Sequence, residues 1–480
     1  MGLLLVTATG ICSMMGASIN VIPFMIQKNV PGIGPYVVPA FLFAAIPAIF
    51  AAYAYAILSS AMPRAGGSYL YASRGLSPYL GFIASFSQWF GLSIVIGVIS
   101  YIIVPFIRDV FFNLGFINIS DFLEVGSVRL TISLLLIWFF VLINIVGGKV
   151  YKNTLIPMLV IMFVLGSIVL ITGLVYDQND FINSVLNSEN RVIEPTSDIK
   201  FDWKIFLTAA TLMFSSFIGF DAIAQTGNEA KNPTKNIPRA ILLAIFIVAS
   251  YYILFTISVY NIVPWSFVAD ESITKDITAP GLLSYVLPPF WGILIIIGAA
   301  IALINDLPAM ILSVSRLMFA WAKDNIFPNR VALIHSKFNT PYIAIILVGV
   351  VASIGAIGSH FAGDFFLGID IMVTSMMINF LLMCITLISI QKVNSKLFRN
   401  ITVIKNRAIQ LFIGYTGTLI ILTFLIIHTY KDLSSNVEEW YFHSTYIYLI
   451  VMIIASIYFA LRWKTVQVKN NNTFKTLPVE

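Results

Sequence analysis

The feature that most constrains this chain is its succession of long apolar runs. Twelve follow one another with little between them: about 2–27, 35–58, 78–106, 128–147, 153–176, 204–228, 239–263, 284–318, 341–359, 365–389, 409–429 and 442–462. A hydrocarbon layer about 30 Å thick needs roughly 20 apolar residues per helix, so each run reads as a membrane span. Composition closes off the soluble alternative. Hydrophobic residues make up 59% of the 480 and charged residues only 10%, against about 25% charged in a soluble domain. That is too little polar surface to cover a globule in water, so an all-α integral membrane protein is expected. The two cysteines, Cys12 and Cys384, both sit in apolar runs, which leaves no disulfide framework and no paired-cysteine metal site. The first run lacks a basic leader and reads as a span, not as a cleaved signal.

Charge sets the orientation. With the N-terminus placed in the cytoplasm, 20 of the 28 Lys and Arg residues fall on the inner side, while 16 of the 22 Asp and Glu residues fall outside. A Lys/Arg excess marks cytoplasmic loops. The net charge of +6 is therefore a topology signal, and no nucleic-acid partner is expected. Both termini are expected in the cytoplasm of a multi-pass plasma-membrane protein. The longest loop, 177–203, is acidic and external, with room for a short helix. The tail from 464 to 480 is polar and reads as solvated.

Two spans carry interruptions. In the first, Gly16, Ala17, Ser18 and Asn20 precede Pro23; in the sixth, Ser215 to Asp221 reads S-S-F-I-G-F-D. A break inside lipid exposes main-chain N–H and C=O groups at several kcal/mol each unless protein or a cavity satisfies them. Taken singly, Gly16 and Gly219 are explained by close helix packing. The two interrupted spans, however, lie five spans apart, the relation expected of inverted repeats, and such a pair points to a transporter binding site. The half-helix starting near Ser18 would offer free N–H groups and a positive dipole end to a carboxylate. Carbonyls around Phe217, Ile218 and Gly219 would suit an ammonium or a cation. Together they suggest a site for a zwitterion.

Three segments resemble the amino acid–polyamine–organocation (APC) superfamily of permeases. Met15 to Pro23 is similar to the family's G-x-G-I-F-x-x-P, and Pro63-Arg64-Ala65-Gly66-Gly67-Ser68-Tyr69 to its P-R-A-G-G-x-Y. Phe217 to Asp221, then Asn228-Glu229-Ala230-Lys231-Asn232-Pro233 and Ile237-Pro238-Arg239, resemble F-I-G-F-D…E-E-x-K-N-P…I-P-R. A weaker fourth match is Ser315-Arg316…Ala322-Lys323-Asp324. The resemblance covers essentially the whole chain. It implies a LeuT-type fold of twelve transmembrane helices: a five-plus-five inverted repeat with two additional helices and with helices 1 and 6 broken. Its parts would be 1–176 and 204–389 for the repeats, 177–203 for the external loop, 390–463 for the added helices and 464–480 for the tail. It further implies secondary transport of amino acids or related amines by alternating access. Met15, Gly16, Ala17 and Ser18 would hold the substrate carboxylate, Phe217, Ile218 and Gly219 its amino group, with Phe214 capping the site and Phe220 lining it. The chain departs from the family at Ser18 (usually Gly), Asn20 (usually Phe) and Ile57 (usually Glu). Its fifth span also lacks the lysine that replaces a sodium ion in some proton-coupled relatives.

Asp306 lies near the middle of the eighth span, beside Asn305 and Pro308. An ionisable residue there costs about 3 kcal/mol or more and marks a functional site by default. It is expected to bind the coupling proton or a cationic group, a structural pairing being the alternative. Asp221 is expected to cap a half-helix, and Tyr69 and Tyr71 to anchor the inner interface. Arg64 and Arg239 are expected to pair with Glu229 or Asp324 as an inner gate. Thr374 and Ser375 are expected to bond to their own helix. The sequence carries no HExxH, no G-x-S-x-G and no P-loop pattern, so neither an enzyme nor an ATP-driven pump is expected. The competing readings are an amino-acid receptor or sensor on the same fold and a polyamine or amine exchanger. No cofactor is expected beyond a coupling ion, H⁺ or Na⁺, and the partners are a small-molecule substrate and the lipid bilayer.

Overall fold

The computed structural model describes residues 1–480 except 17, 194–198, 275–276, 363–365, 436, 438, 470–472 and 478–480. Among the described residues there are helices and turns and no strand. In chain order the helices begin with α1 (Leu3–Met14), α2 (Ser18–Asn29), α3 (Val37–Ala61), α4 (Gly67–Gly75), α5 (Pro78–Asn113), α6 (Ile117–Glu124) and α7 (Gly126–Val146). They continue with α8 (Gly148–Val175), α9 (Gln178–Glu189), α10 (Trp203–Met213), α11 (Ala222–Gln225), α12 (Pro233–Ile262), α13 (Trp265–Thr274) and α14 (Ala279–Leu283). The last are α15 (Pro289–Lys323), α16 (Tyr342–Ala362), α17 (Phe366–Val393), α18 (Ser395–Arg399), α19 (Arg407–Ser434) and α20 (Ser444–Lys469). Twelve segments among the described residues are long and apolar enough to cross a membrane. The first span is α1 with α2, and the sixth is α10 with α11.

Burial sorts the spans into an interior and a shell. In the first span 94% of the apolar window is buried, in the fifth only 22%. A helix apolar on every side needs protein or lipid around it. The exposed Leu135, Phe139, Val164, Leu174, Leu419 and Leu461 give α7, α8, α19 and α20 an apolar outer surface. The interior is organised around α5, which packs along α15, α16 and α17. Gly97 of α5 rests on the main chain of Ala352 and Gly355, and Gly355 rests on the carbonyl of Ile94. A side chain at either position would push the two helices apart, and small residues are what membrane helices use for close approach.

Helix ends follow local chemistry. Ser77 accepts the Leu80 N–H at 3.2 Å with Pro78 at the first helical position, a start signal that uses an N–H free in any helix. Asp177 and Asp180 form a reciprocal capping box that opens α9 inside the acidic loop. Two expectations are corrected. The eighth span starts at Pro289 and ends at Lys323, because the Pro288-Pro289 pair starts the helix late. The tail is not wholly solvated: α20 runs to Lys469, and the Phe474 ring packs at a tilt on Trp463 at 5.7 Å with the Arg74 guanidinium 5.2 Å from its centre. An aromatic ring and a cation pull that segment back onto the protein.

Candidate functional site

The first break follows from what its neighbours supply. The main chain leaves the helix after Met14, with the Met15 N–H still bonded to the Ile11 carbonyl at 2.8 Å. The freed Met14 carbonyl accepts the Tyr252 hydroxyl of α12 at 2.6 Å, so one orphan acceptor of the helix end is satisfied. A Cβ on Gly16 would strike Asp306 Oδ2, so the carboxylate of α15 lies directly against the interrupted main chain. Ala17 lies outside the described residues, as does the side chain of Ser18.

The sixth span breaks by stages. After α10 the chain tightens into a 3₁₀ turn, Phe214–Phe217, and Ile218 is extended (φ −80°, ψ 136°). Gly219 has φ +133°, a conformation open mainly to glycine. A Cβ there would also run into the Ser13 carbonyl. The two breaks therefore meet main chain to main chain. Asp221 precedes α11 but accepts no amide of that helix. Its Oδ1 takes the Gly219 N–H at 3.2 Å, and its Oδ2 takes a hydrogen bond from Gln88 of α5. Ser68 of α4 donates to the other end of the Gln88 amide. The expected cap is thus a buried polar pin that ties the bend of the sixth span to α5. The acceptors of a buried carboxylate need such donors.

Beside the breaks lies a cavity of about 570 Å³. Ser13, Met14, Gly16, Ile218, Asp306 and Met310 line its inner part, and Lys28, Asn29, Arg108 and Arg129 line it at the ends of α2, α5 and α7. Lys28 is exposed, so the cavity reaches the surface at that end. A volume of this order suits a small molecule. Of the residues singled out from the sequence, the structure brings Gly16, Ile218 and Asp306 together at the cavity. Met15, Phe214, Phe217, Gly219 and Phe220 are buried but are not among its described lining. Phe220 stacks on Phe380 at 5.0 Å, Phe217 packs on Phe41 at 5.2 Å, and Phe214 contacts Phe380 and Phe424. Ser13, Met14, Ser215 and Met310 were not foreseen as lining. Ser13 and Met14 do stand next to the Met15–Gly16 interruption, which was the available signal.

The opposite end of the bundle is closed. Asp324, just after α15, accepts the Tyr69 hydroxyl at 2.6 Å and pairs with Arg74 of α4 at 2.5 Å. Glu229 pairs with Arg316 at 2.8 Å. The two acids expected to pair with Arg64 or Arg239 thus have other arginines as partners. The main chain of Gly227 rests on that of Arg64, Gly67 rests on Gln225, and the Ala65 N–H donates to Asn228 at 3.0 Å. The P-R-A-G-G segment and the stretch after the sixth span therefore close on each other. Tyr69 and Tyr71 are fully buried here and are not interface anchors, because α4 is covered by α5 and α17. Burial, then the Asp324 carboxylate, holds the Tyr69 phenol well above its ordinary range, so it remains a donor. Burial works against the Arg74 charge, but Tyr69 and Asp324 outweigh it and raise its pKa.

Polar groups deeper in α15 and α17 stay inside the packing. Asn305 donates to Cys12 Sγ of α1 at 3.0 Å and is not among the described lining of the cavity. The Thr374 and Ser375 hydroxyls have no hydrogen-bond partner among the described residues, so the expected bonds to their own helix are not made, and the Ser313 hydroxyl has none either.

A family model described as amino acid permease matches residues 1–455. An uncharacterized transporter of Mycobacterium bovis is 34% identical over 152 residues, 31% of this chain and 33% of that protein. A branched-chain amino acid permease of Bacillus subtilis is 28% identical over 150 residues, 31% of each chain. Cationic amino acid transporter 4 of Mus musculus is 28% identical over 157 residues, 33% of this chain and 24% of that protein. The aligned segment spans a third or less of the length of each of these relatives.

Proposed function

The chain belongs to the amino acid permease family, and we propose on that premise that it is a secondary transporter moving amino acids or related amines across the plasma membrane by alternating access. The observation that carries this reading is the main-chain meeting of two interrupted spans, Gly219 upon Ser13, beside a cavity open at one end and sealed at the other. Non-helical main chain at membrane depth is tolerated where it lines a cavity, and substrate sites of such transporters lie between broken helices. The five-span offset of the two breaks supports an inverted repeat of 1–176 and 204–389. The Lys/Arg bias supports an inner location for both termini. On that orientation the sealed end, with Arg74–Asp324 and Arg316–Glu229, faces the cytoplasm and the cavity faces outward.

The test is counterflow. Purified protein in liposomes preloaded with an unlabelled amino acid mixture should accumulate labelled amino acid from outside, transiently and above empty liposomes. A protein that binds the label but never accumulates it would be a receptor, and the transport reading would fall.

A further inference from the structure

We propose that Asp306 and Ser13 form a seat for an aliphatic ammonium group, so that the ligand of this cavity is a cationic amine, either a basic amino acid or a diamine. The inference rests on the cavity being the substrate site. Asp306 is 3% exposed and Ser13 1%, and both line the cavity. One Asp306 carboxylate oxygen lies against Gly16; the other, Oδ1, has no hydrogen-bond partner among the described residues, nor does the Ser13 hydroxyl. Asp306 and Ser13 thus each bring an enclosed, unpartnered polar atom to the cavity wall.

Both helix polarities reach this floor: α2 begins at Ser18, with its positive end toward the break. α1 ends at Met14 and the helical part of the sixth span ends at Phe217, so two half-helices bring their carbonyl ends, which carry partial negative charge, to this floor. The basic residues lining the cavity, Lys28, Arg108 and Arg129, belong to the ends of α2, α5 and α7, away from the floor. A buried carboxylate without a counter-charge is costly, and a ligand cation supplies what the described protein atoms do not. The walls beside it, Met14, Ile218, Met310 and Met372, are aliphatic and fit a methylene chain, and methionine adapts to the shape it meets. A bare divalent ion fits less well. It wants about six oxygen ligands, and no cluster of three metal-binding side chains occurs among the described residues.

Binding to the purified full-length protein tests this by calorimetry or thermal shift. The probes are L-lysine, L-norleucine (the same chain without the terminal ammonium) and 1,5-diaminopentane. Wild type is expected to bind lysine about tenfold or more tighter than norleucine, the factor of one charge-assisted hydrogen bond. Asp306→Asn should bring that ratio close to one, and Ser13→Ala should reduce it partway. Diaminopentane binding alongside lysine means the ammonium suffices; lysine alone means the carboxylate is also gripped; either upholds the seat. A wild type that binds norleucine as well as lysine overturns the proposal, as does an Asp306→Asn protein that keeps the ratio. Should Asp306→Asn not fold, the wild-type ratio and Ser13→Ala decide. Counterflow of neutral amino acids with no preference for lysine sinks the seat while the transport reading stands; loss of counterflow and of all binding removes both.

Discussion

At the residue scale the structure gives two glycines distinct work. Gly16 leaves room for the Asp306 carboxylate, and Gly219 leaves room for the Ser13 carbonyl while holding φ at +133°. Gly219→Ala should therefore be penalised twice, by a left-handed conformation costing about 1–3 kcal/mol and by a collision with main chain that has nowhere to go. Its unfolding temperature in detergent should fall well below that of Gly358→Ala, where an added methyl meets nothing within 4 Å. Equal temperatures for the two variants would show that the contact between the breaks contributes nothing. Asp221 teaches a related lesson. An acid at a helix start was a reasonable cap, yet the donors that reach it are the Gly219 amide and Gln88, because Asp221 itself is helical (φ −63°, ψ −23°) and lacks the extended backbone of a cap.

At the element scale, the closed end of the bundle depends on α4 docking between α5, α17 and the segment after α15. Its centre is the buried triad of Tyr69, Arg74 and Asp324. Breaking a buried pair by removing one partner costs about 3–5 kcal/mol, because the other charge stays buried. Arg74→Ala should accordingly lower the unfolding temperature by several degrees and slow counterflow. Arg74→Lys should recover only part of the loss, since an ammonium cannot reproduce the guanidinium geometry. An unfolding temperature for Arg74→Ala equal to wild type would mean the pair does not hold this end. The side chains of the sixth span were poorly legible for a reason that also belongs to this scale. The chain passes from α-helix to 3₁₀ turn to extended backbone within a few residues, so the turn per residue changes at each step. Phe214, Phe217 and Phe220 consequently pack into the scaffold on Phe380, Phe424 and Phe41, a direction that a single helical period does not give.

At the scale of the whole molecule, the proposed inner location of both termini is open to direct test. A cysteine introduced by Asn190→Cys, at the end of α9, should react with a membrane-impermeant thiol reagent on intact cells. One introduced by Lys396→Cys, in α18, should react only after permeabilisation. The native Cys12 and Cys384 are buried and should give little background. Labelling with the opposite preference would invert the topology and turn the open cavity toward the cytoplasm.

The sequence by itself determined the membrane class, the spans to within a few residues at most ends, the positions of both breaks and the prominence of Asp306. These are local properties: apolar length, a glycine within a span, a charge where charges are expensive. Only the tertiary structure decided that Arg74 meets Asp324, that Gly219 lands on Ser13, and which residues line the cavity. Those outcomes depend on how helices far apart in the chain rotate and approach one another. That is set by packing summed over the whole interior, and no single stretch of sequence carries it.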